Sequence, residues 1–121
     1  MGKTFLIVDD SASMRQLISS TIQRAGHTVL AAENGRDAIE KLGDTKVDIV
    51  ITDLNMPEMD GIELIKKLRS MAAYQGIPIV MLTTEAQAEK KQEGKQAGAS
   101  GWIVKPFSSA QLLEVVKKFV Q

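Results

Sequence analysis

Five polar residues each follow a short apolar run. Asp9 and Asp10 follow Phe5-Leu6-Ile7-Val8, Asp53 follows Ile49-Val50-Ile51, Thr83 follows the run from Ile77 to Leu82, and Lys105 follows Trp102-Ile103-Val104. Three carboxylates held close together repel one another and need a cation or protons. Hard oxygen donors of this kind suit Mg2+, which uses few carboxylates and keeps several waters. A metal so placed can bridge a carboxylate and a phosphoryl oxygen. Lys105 supplies a compact positive charge for a second phosphoryl oxygen, and Thr83 a hydroxyl donor for a third. A carboxylate can itself attack phosphorus and give an aspartyl-phosphate. Asp53 is the candidate nucleophile, being central and followed at once by the loop from Leu54 to Asp60.

Taken singly, each residue has a plainer use. An acid after a strand most often caps a helix, a lone lysine is usually solvated, and a threonine there is usually a cap. Trp102 alone reads as partly buried packing. Three acids with Lys and Thr converging on one edge read instead as a site.

That convergence depends on the elements. The apolar runs, with Thr28-Val29-Leu30-Ala31 as a further one, are rich in β-branched residues and bounded by turn residues, so they read as five strands. Several are apolar throughout, the pattern of a parallel sheet covered on both faces. Helical spacing fills the gaps: Met14, Leu17, Ile18, Thr21, Ile22 and Ala25 share one face, as do Leu64, Ile65, Leu68 and Met71, and Leu112, Val116, Phe119 and Val120. Capping pairs are expected at Ser13/Gln16, Asn34/Asp37, Asp60/Glu63, Thr84/Gln87 and Ser108/Gln111. Gly26, Gly43, Gly76 and Gly98 are expected as left-handed helix ends. The fourth helix, about Glu85 to Ala97, has no large apolar residue and an internal Gly94, so it should be weakly anchored.

The alternation βαβαβαβαβα with right-handed crossovers predicts an α/β, doubly wound parallel sheet with helices on both faces. Such sheets bind ligands outside the carboxyl ends of their strands, where the five polar residues fall. The 121 residues suit one domain, 1–121, with no linker or repeat.

Composition removes other classes. With no cysteine, there are no disulfides, thiolate metal sites or cysteine nucleophiles. Fifteen basic side chains balance 15 acidic ones, without the basic excess a nucleic-acid binder normally carries. No apolar run reaches membrane-spanning length, and the protein is expected to be soluble and cytoplasmic. The only histidine, His27, opens the second strand at the far edge of the sheet, so a Ser-His-Asp triad is excluded at the acids.

Four segments carry a family resemblance: Leu6-Ile7-Val8-Asp9-Asp10-Ser11; Asp53-Leu54-Asn55-Met56-Pro57-Glu58-Met59-Asp60-Gly61; Leu82-Thr83-Thr84-Glu85; and Ala97-Gly98-Ala99-Ser100-Gly101-Trp102-Ile103-Val104-Lys105-Pro106-Phe107. Together they resemble the receiver domain of bacterial two-component response regulators, over the whole chain, and most of all its receiver-only chemotaxis members. The resemblance implies a five-stranded sheet in the order 2-1-3-4-5 and phosphorylation on Asp53. It implies Mg2+ on Asp10, Asp53 and the main-chain carbonyl of Asn55, with Asp9 acting through water. Lys105 would contact the phosphoryl group, and Lys105-Pro106 would be cis. Thr83 and Trp102 match the switch pair, in which the hydroxyl moves to the phosphoryl group and the ring turns inward behind it. The switch aromatic is more often Tyr or Phe, and the residue after Thr83 is more often Ala or Gly than Thr84. Asn55 and Glu85, each two residues past a site residue, should flank the path of attacking water and tune dephosphorylation.

The implied role is a phosphorylation-activated signalling switch. It would catalyse only its own phosphorylation and dephosphorylation. Its implied partners are a sensor histidine kinase such as the chemotaxis kinase, the flagellar motor switch, and a phosphatase, with the chain a monomer. A receiver-only phosphorelay intermediate fits the same motifs. An aspartyl-phosphate phosphatase of the dehalogenase type would want D-x-D where this chain has Asp53-Leu54-Asn55. A flavin protein of this topology would have its phosphate repelled by Asp9-Asp10.

Overall fold

The computed structural model describes residues 2–43, 45–84 and 88–120, the side chain of Ala88 excepted. In chain order the elements are β1 (Thr4–Val8), α1 (Ala12–Arg24), β2 (Thr28–Ala32), α2 (Gly35–Leu42), β3 (Ile49–Asp53), α3 (Gly61–Arg69), a 3-10 turn (Ala72–Tyr74), β4 (Ile79–Thr84), α4 (Ala88–Ala97), β5 (Gly101–Lys105) and α5 (Ser109–Phe119). The five strands form one parallel sheet in the order β2-β1-β3-β4-β5. This is the expected doubly wound sheet, with its switch point between β1 and β3.

Strand alternation divides the core in two. Phe5, Ile7, Ile49, Ile51, Val80, Leu82 and Ile103 face α1 and α5, where Ile18, Ile22, Leu112 and Val116 close over them. Leu6, Val8, Val50, Ile79 and Met81 face the other layer, which includes Leu64, Ile65 and Leu68 of α3. Burying each such side chain contributes about 1.5–3 kcal/mol. The same alternation sorts the strand ends. Asp9, Asp53 and Lys105 share the parity of the α1/α5 face, whereas Thr83 and Trp102 share that of the α4 side.

Local signals were legible with four corrections. The cap of α1 is Ser11, whose Oγ accepts from the Met14 amide at 3.2 Å, and not Ser13. Asp9 Oδ1 accepts the Ser11 amide at 2.9 Å, turning the chain so soon after β1 that the helix opens earlier. Leu17 is exposed rather than packed with Ile18 and Ile22. Met71 lies beyond α3, which ends at Arg69 and passes into the 3-10 turn. Gly26, Gly43 and Gly98 are left-handed, but Gly76 is not, because it follows that 3-10 turn rather than a helix end. Asn34, Asp60 and Ser108 cap as expected, the last two as full capping boxes. The pair Thr84/Gln87 and the stretch 85–87 of the fourth helix lie outside the described residues, as does Glu85.

No helix among the described residues is long and apolar enough to cross a membrane.

Candidate functional site

The carboxyl ends of β1, β3 and β5 bring four of the predicted residues together. Carboxylate oxygens of Asp9, Asp10 and Asp53 all lie within 4.8 Å of one another. Asp9 is fully buried, Asp53 is 8% exposed, and Asp10 is open to solvent. Lys105 reaches in from β5, its Nζ 3.2 Å from Asp53 Oδ1 and 3.5 Å from Asp9 Oδ2. Lys105-Pro106 is cis, as expected.

The electrostatics follow from burial. Loss of water raises the Asp53 carboxyl above its ordinary value, and the Asp9 carboxylate raises it further. The Lys105 ammonium and the Leu54 amide, which donates to Asp53 Oδ1 at 2.9 Å, pull the other way without cancelling the rise. Among the described residues Asp9 Oδ2 accepts no hydrogen bond, and it forms an ion pair with Lys105. An under-satisfied buried oxygen amid all-oxygen, all-anionic donors suits a hard divalent cation open to solvent on the Asp10 side.

Thr83 is fully buried, and its Oγ1 has no hydrogen-bond partner among the described residues. A buried hydroxyl left unpaired costs roughly 1–3 kcal/mol, so Thr83 gains whenever an acceptor comes within reach. Trp102 lies 42% exposed on β5, opposite Met81 in the register and diagonal to Thr83. Its ring has Lys91 Nζ 5.6 Å from the centroid. Asn55 is exposed at the start of the loop after β3. His27 is remote and structural: its Nδ1 accepts from the Lys3 amide at 3.0 Å and its ring packs on Phe5.

Three contributors escape a reading of the sequence. Gly61 stands so close to the Asp53 carbonyl oxygen that a Cβ there would collide with backbone. Gly35 faces Met59 in the same way. Both follow a capping residue, Asn34-Gly35 and Asp60-Gly61. A glycine at a first helical position, where alanine would be better, is the available signal for close approach. Arg69 ties the end of α4 to the start of β4, donating to Gly98 O at 2.8 and 3.0 Å and to Tyr74 O and Ile77 O at 2.7 Å. Nothing in its sequence position distinguishes it from the solvated lysines before it.

Residues 5–117 match the family model described as the response regulator receiver domain. Chemotaxis protein CheY1 of Helicobacter pylori is 48% identical over 113 residues, covering 90% of each chain. A chemotaxis protein CheY homolog of Campylobacter jejuni is 45% identical over 111 residues, covering 90% of this chain and 85% of its own. Among solved structures, chemotaxis response regulator CheY4 of Vibrio cholerae superposes with a TM-score of 0.94 at 46% identity, covering 99% of this chain and 100% of that one.

Proposed function

This chain belongs to the response regulator receiver family, and from that premise we propose that it is a chemotaxis-type switch phosphorylated on Asp53 by a sensor histidine kinase. The observation that carries the reading is the buried Asp53 carboxylate, with Lys105 Nζ at 3.2 Å and two further carboxylates within 4.8 Å.

A carboxylate oxygen of Asp53 attacks the phosphorus of a phosphohistidine. The new P–O bond forms as the P–N bond breaks, and the electron pair leaves with the imidazole. Lys105 is placed to neutralise charge on the transferred group. Asp10, Asp53 and the Asn55 carbonyl would hold Mg2+, with Asp9 acting through water, and the metal would supply further charge neutralisation. The chain turns over no external substrate, and its chemistry ends at its own phosphorylation and dephosphorylation. Asn55 would flank the water that later hydrolyses the acyl-phosphate; Glu85, expected from the sequence in the same role, lies outside the described residues.

Output follows from Thr83. Once Asp53 bears a phosphoryl group, the unpartnered Oγ1 has an acceptor to donate to, and its movement opens space for the Trp102 ring. The exposed ring corresponds to the inactive state, so phosphorylation shifts a population between two conformations. The surface of α4, β5 and α5 then binds the flagellar motor switch. The test is affinity for a motor-switch peptide with and without beryllofluoride and Mg2+. Tighter binding and a changed Trp102 emission on activation are expected. Phosphoryl passage to a second histidine protein, without peptide affinity, would instead establish a phosphorelay intermediate.

A further inference from the structure

The loop after β3 carries Asn55 and is pinned at two places. At its end, Gly61 closes on β3, its amide donating to Leu54 O at 2.9 Å, with no room for a Cβ against Asp53 O. Just before that end, at Met59, the opening of α2 grips it. The Gly35 amide donates to Met59 O at 3.1 Å. A Cβ on Gly35 would meet Met59 O and Cγ at 2.7 Å and Met59 Cβ at 2.8 Å. Arg36 Nη1 donates to Glu58 Oε2 at 2.8 Å, and Glu58 is held left-handed at φ 72°. The exposed ion pair contributes little on its own. The backbone contact at Gly35 is the firm one.

We infer that Gly35 is a positioning residue for the metal: by letting α2 approach Met59, it sets the height of the Asn55 carbonyl over the acid cluster. The inference rests on the metal ligands proposed above. An ordinary Cβ contact lies at 3.4–4 Å, so a Cβ at 2.7 Å displaces the loop or the helix by several tenths of an ångström. Mg2+ demands near-ideal octahedral geometry at about 2.0–2.1 Å, whereas Ca2+ accepts longer and more irregular oxygen shells. A displaced carbonyl therefore costs Mg2+ more than Ca2+. A merely structural role would weaken both alike.

The test is calorimetric titration of Mg2+ and of Ca2+ into wild type, Gly35→Ala and Gly76→Ala, with urea midpoints in EDTA reporting the fold. Gly76 has nothing within 4 Å of a built Cβ and no left-handed backbone, so its variant should bind as wild type does. Gly35→Ala should lose about tenfold in Mg2+ affinity and less than about threefold in Ca2+ affinity. Unchanged Mg2+ affinity, or equal losses for both cations, overturns the role of Gly35. Wild type that binds no Mg2+ overturns the metal reading itself. If Gly35→Ala does not fold, Gly35→Ala with Met59→Gly, which removes the side-chain part of the collision, carries the same comparison.

Discussion

The two halves of the site edge are built to different standards. Around Asp53 the structure is crowded: acids at the ends of two strands, an ammonium between them, and a loop pinned by Gly61 and Gly35. Around Trp102 it is sparse. Across the described part of α4, Gly94 is the buried residue, resting on the Met81 thioether, and Arg69 holds the helix's far end through Gly98 O. A group that must receive a phosphoryl needs fixed geometry. A surface that must change on receipt needs few contacts to break. Thr83 stands between the halves, buried like the first and unpartnered, so that it can serve the second.

The largest effect on this contrast should come from Lys105→Ala. It leaves Asp9 and Asp53 buried beside each other without their cation, costing about 2 kcal/mol of stability in EDTA. Urea denaturation would measure it, and added Mg2+ should recover part of the variant's loss.

Gly94→Ala should be milder on stability, about 1 kcal/mol, but it should act on the sparse half. The new methyl pushes on Met81, which pairs with Trp102 across β4 and β5. Trp102 emission should therefore move without any activator. Met81→Ala should relieve the added methyl, giving a double variant whose cost is clearly less than the sum of the singles.

The smallest effect concerns Asp53 itself. Burial, then Asp9, hold its carboxyl above the ordinary range in the folded protein. The folded state thus keeps that proton more tightly than the unfolded chain does. Its stabilisation is complete below about pH 4, the ordinary aspartate range, and is lost as pH rises through the raised value. At neutral pH the metal-free protein carries the penalty. Asp53→Asn should raise the urea midpoint in EDTA at pH 7, and the gain should shrink as pH falls through the raised value and be gone below about pH 4.

The crowded half was the more legible in sequence. Asp9, Asp10, Asp53 and Lys105 announced themselves because strand ends are marked by where β-branched runs stop, and parallel topology then gathers those ends. The helix layers followed from the same alternation, and the strand order from the family resemblance. What escaped depends mostly on contacts distant in sequence, the cap of α1 being a local exception. Ser11 and Ser13 both look like caps, and only the Asp9 turn decides between them. Gly35 and Gly61 look like ordinary first-turn glycines until Met59 and Asp53 are placed against them. Arg69 reads as one more basic residue at a helix end, although its guanidinium gathers carbonyls from two segments. The weak anchorage of α4 was legible from its lack of large apolar residues, but its contact through Gly94 and Met81 was not.

The central claim is that Asp53 accepts a phosphoryl group with the help of a divalent cation. Intact-mass spectrometry after incubation with acetyl phosphate tests it most directly. One added phosphoryl group is expected on wild type with Mg2+, none in EDTA, and none on Asp53→Asn under either condition. Equal labelling of Asp53→Asn, or full labelling of wild type in EDTA, would contradict it.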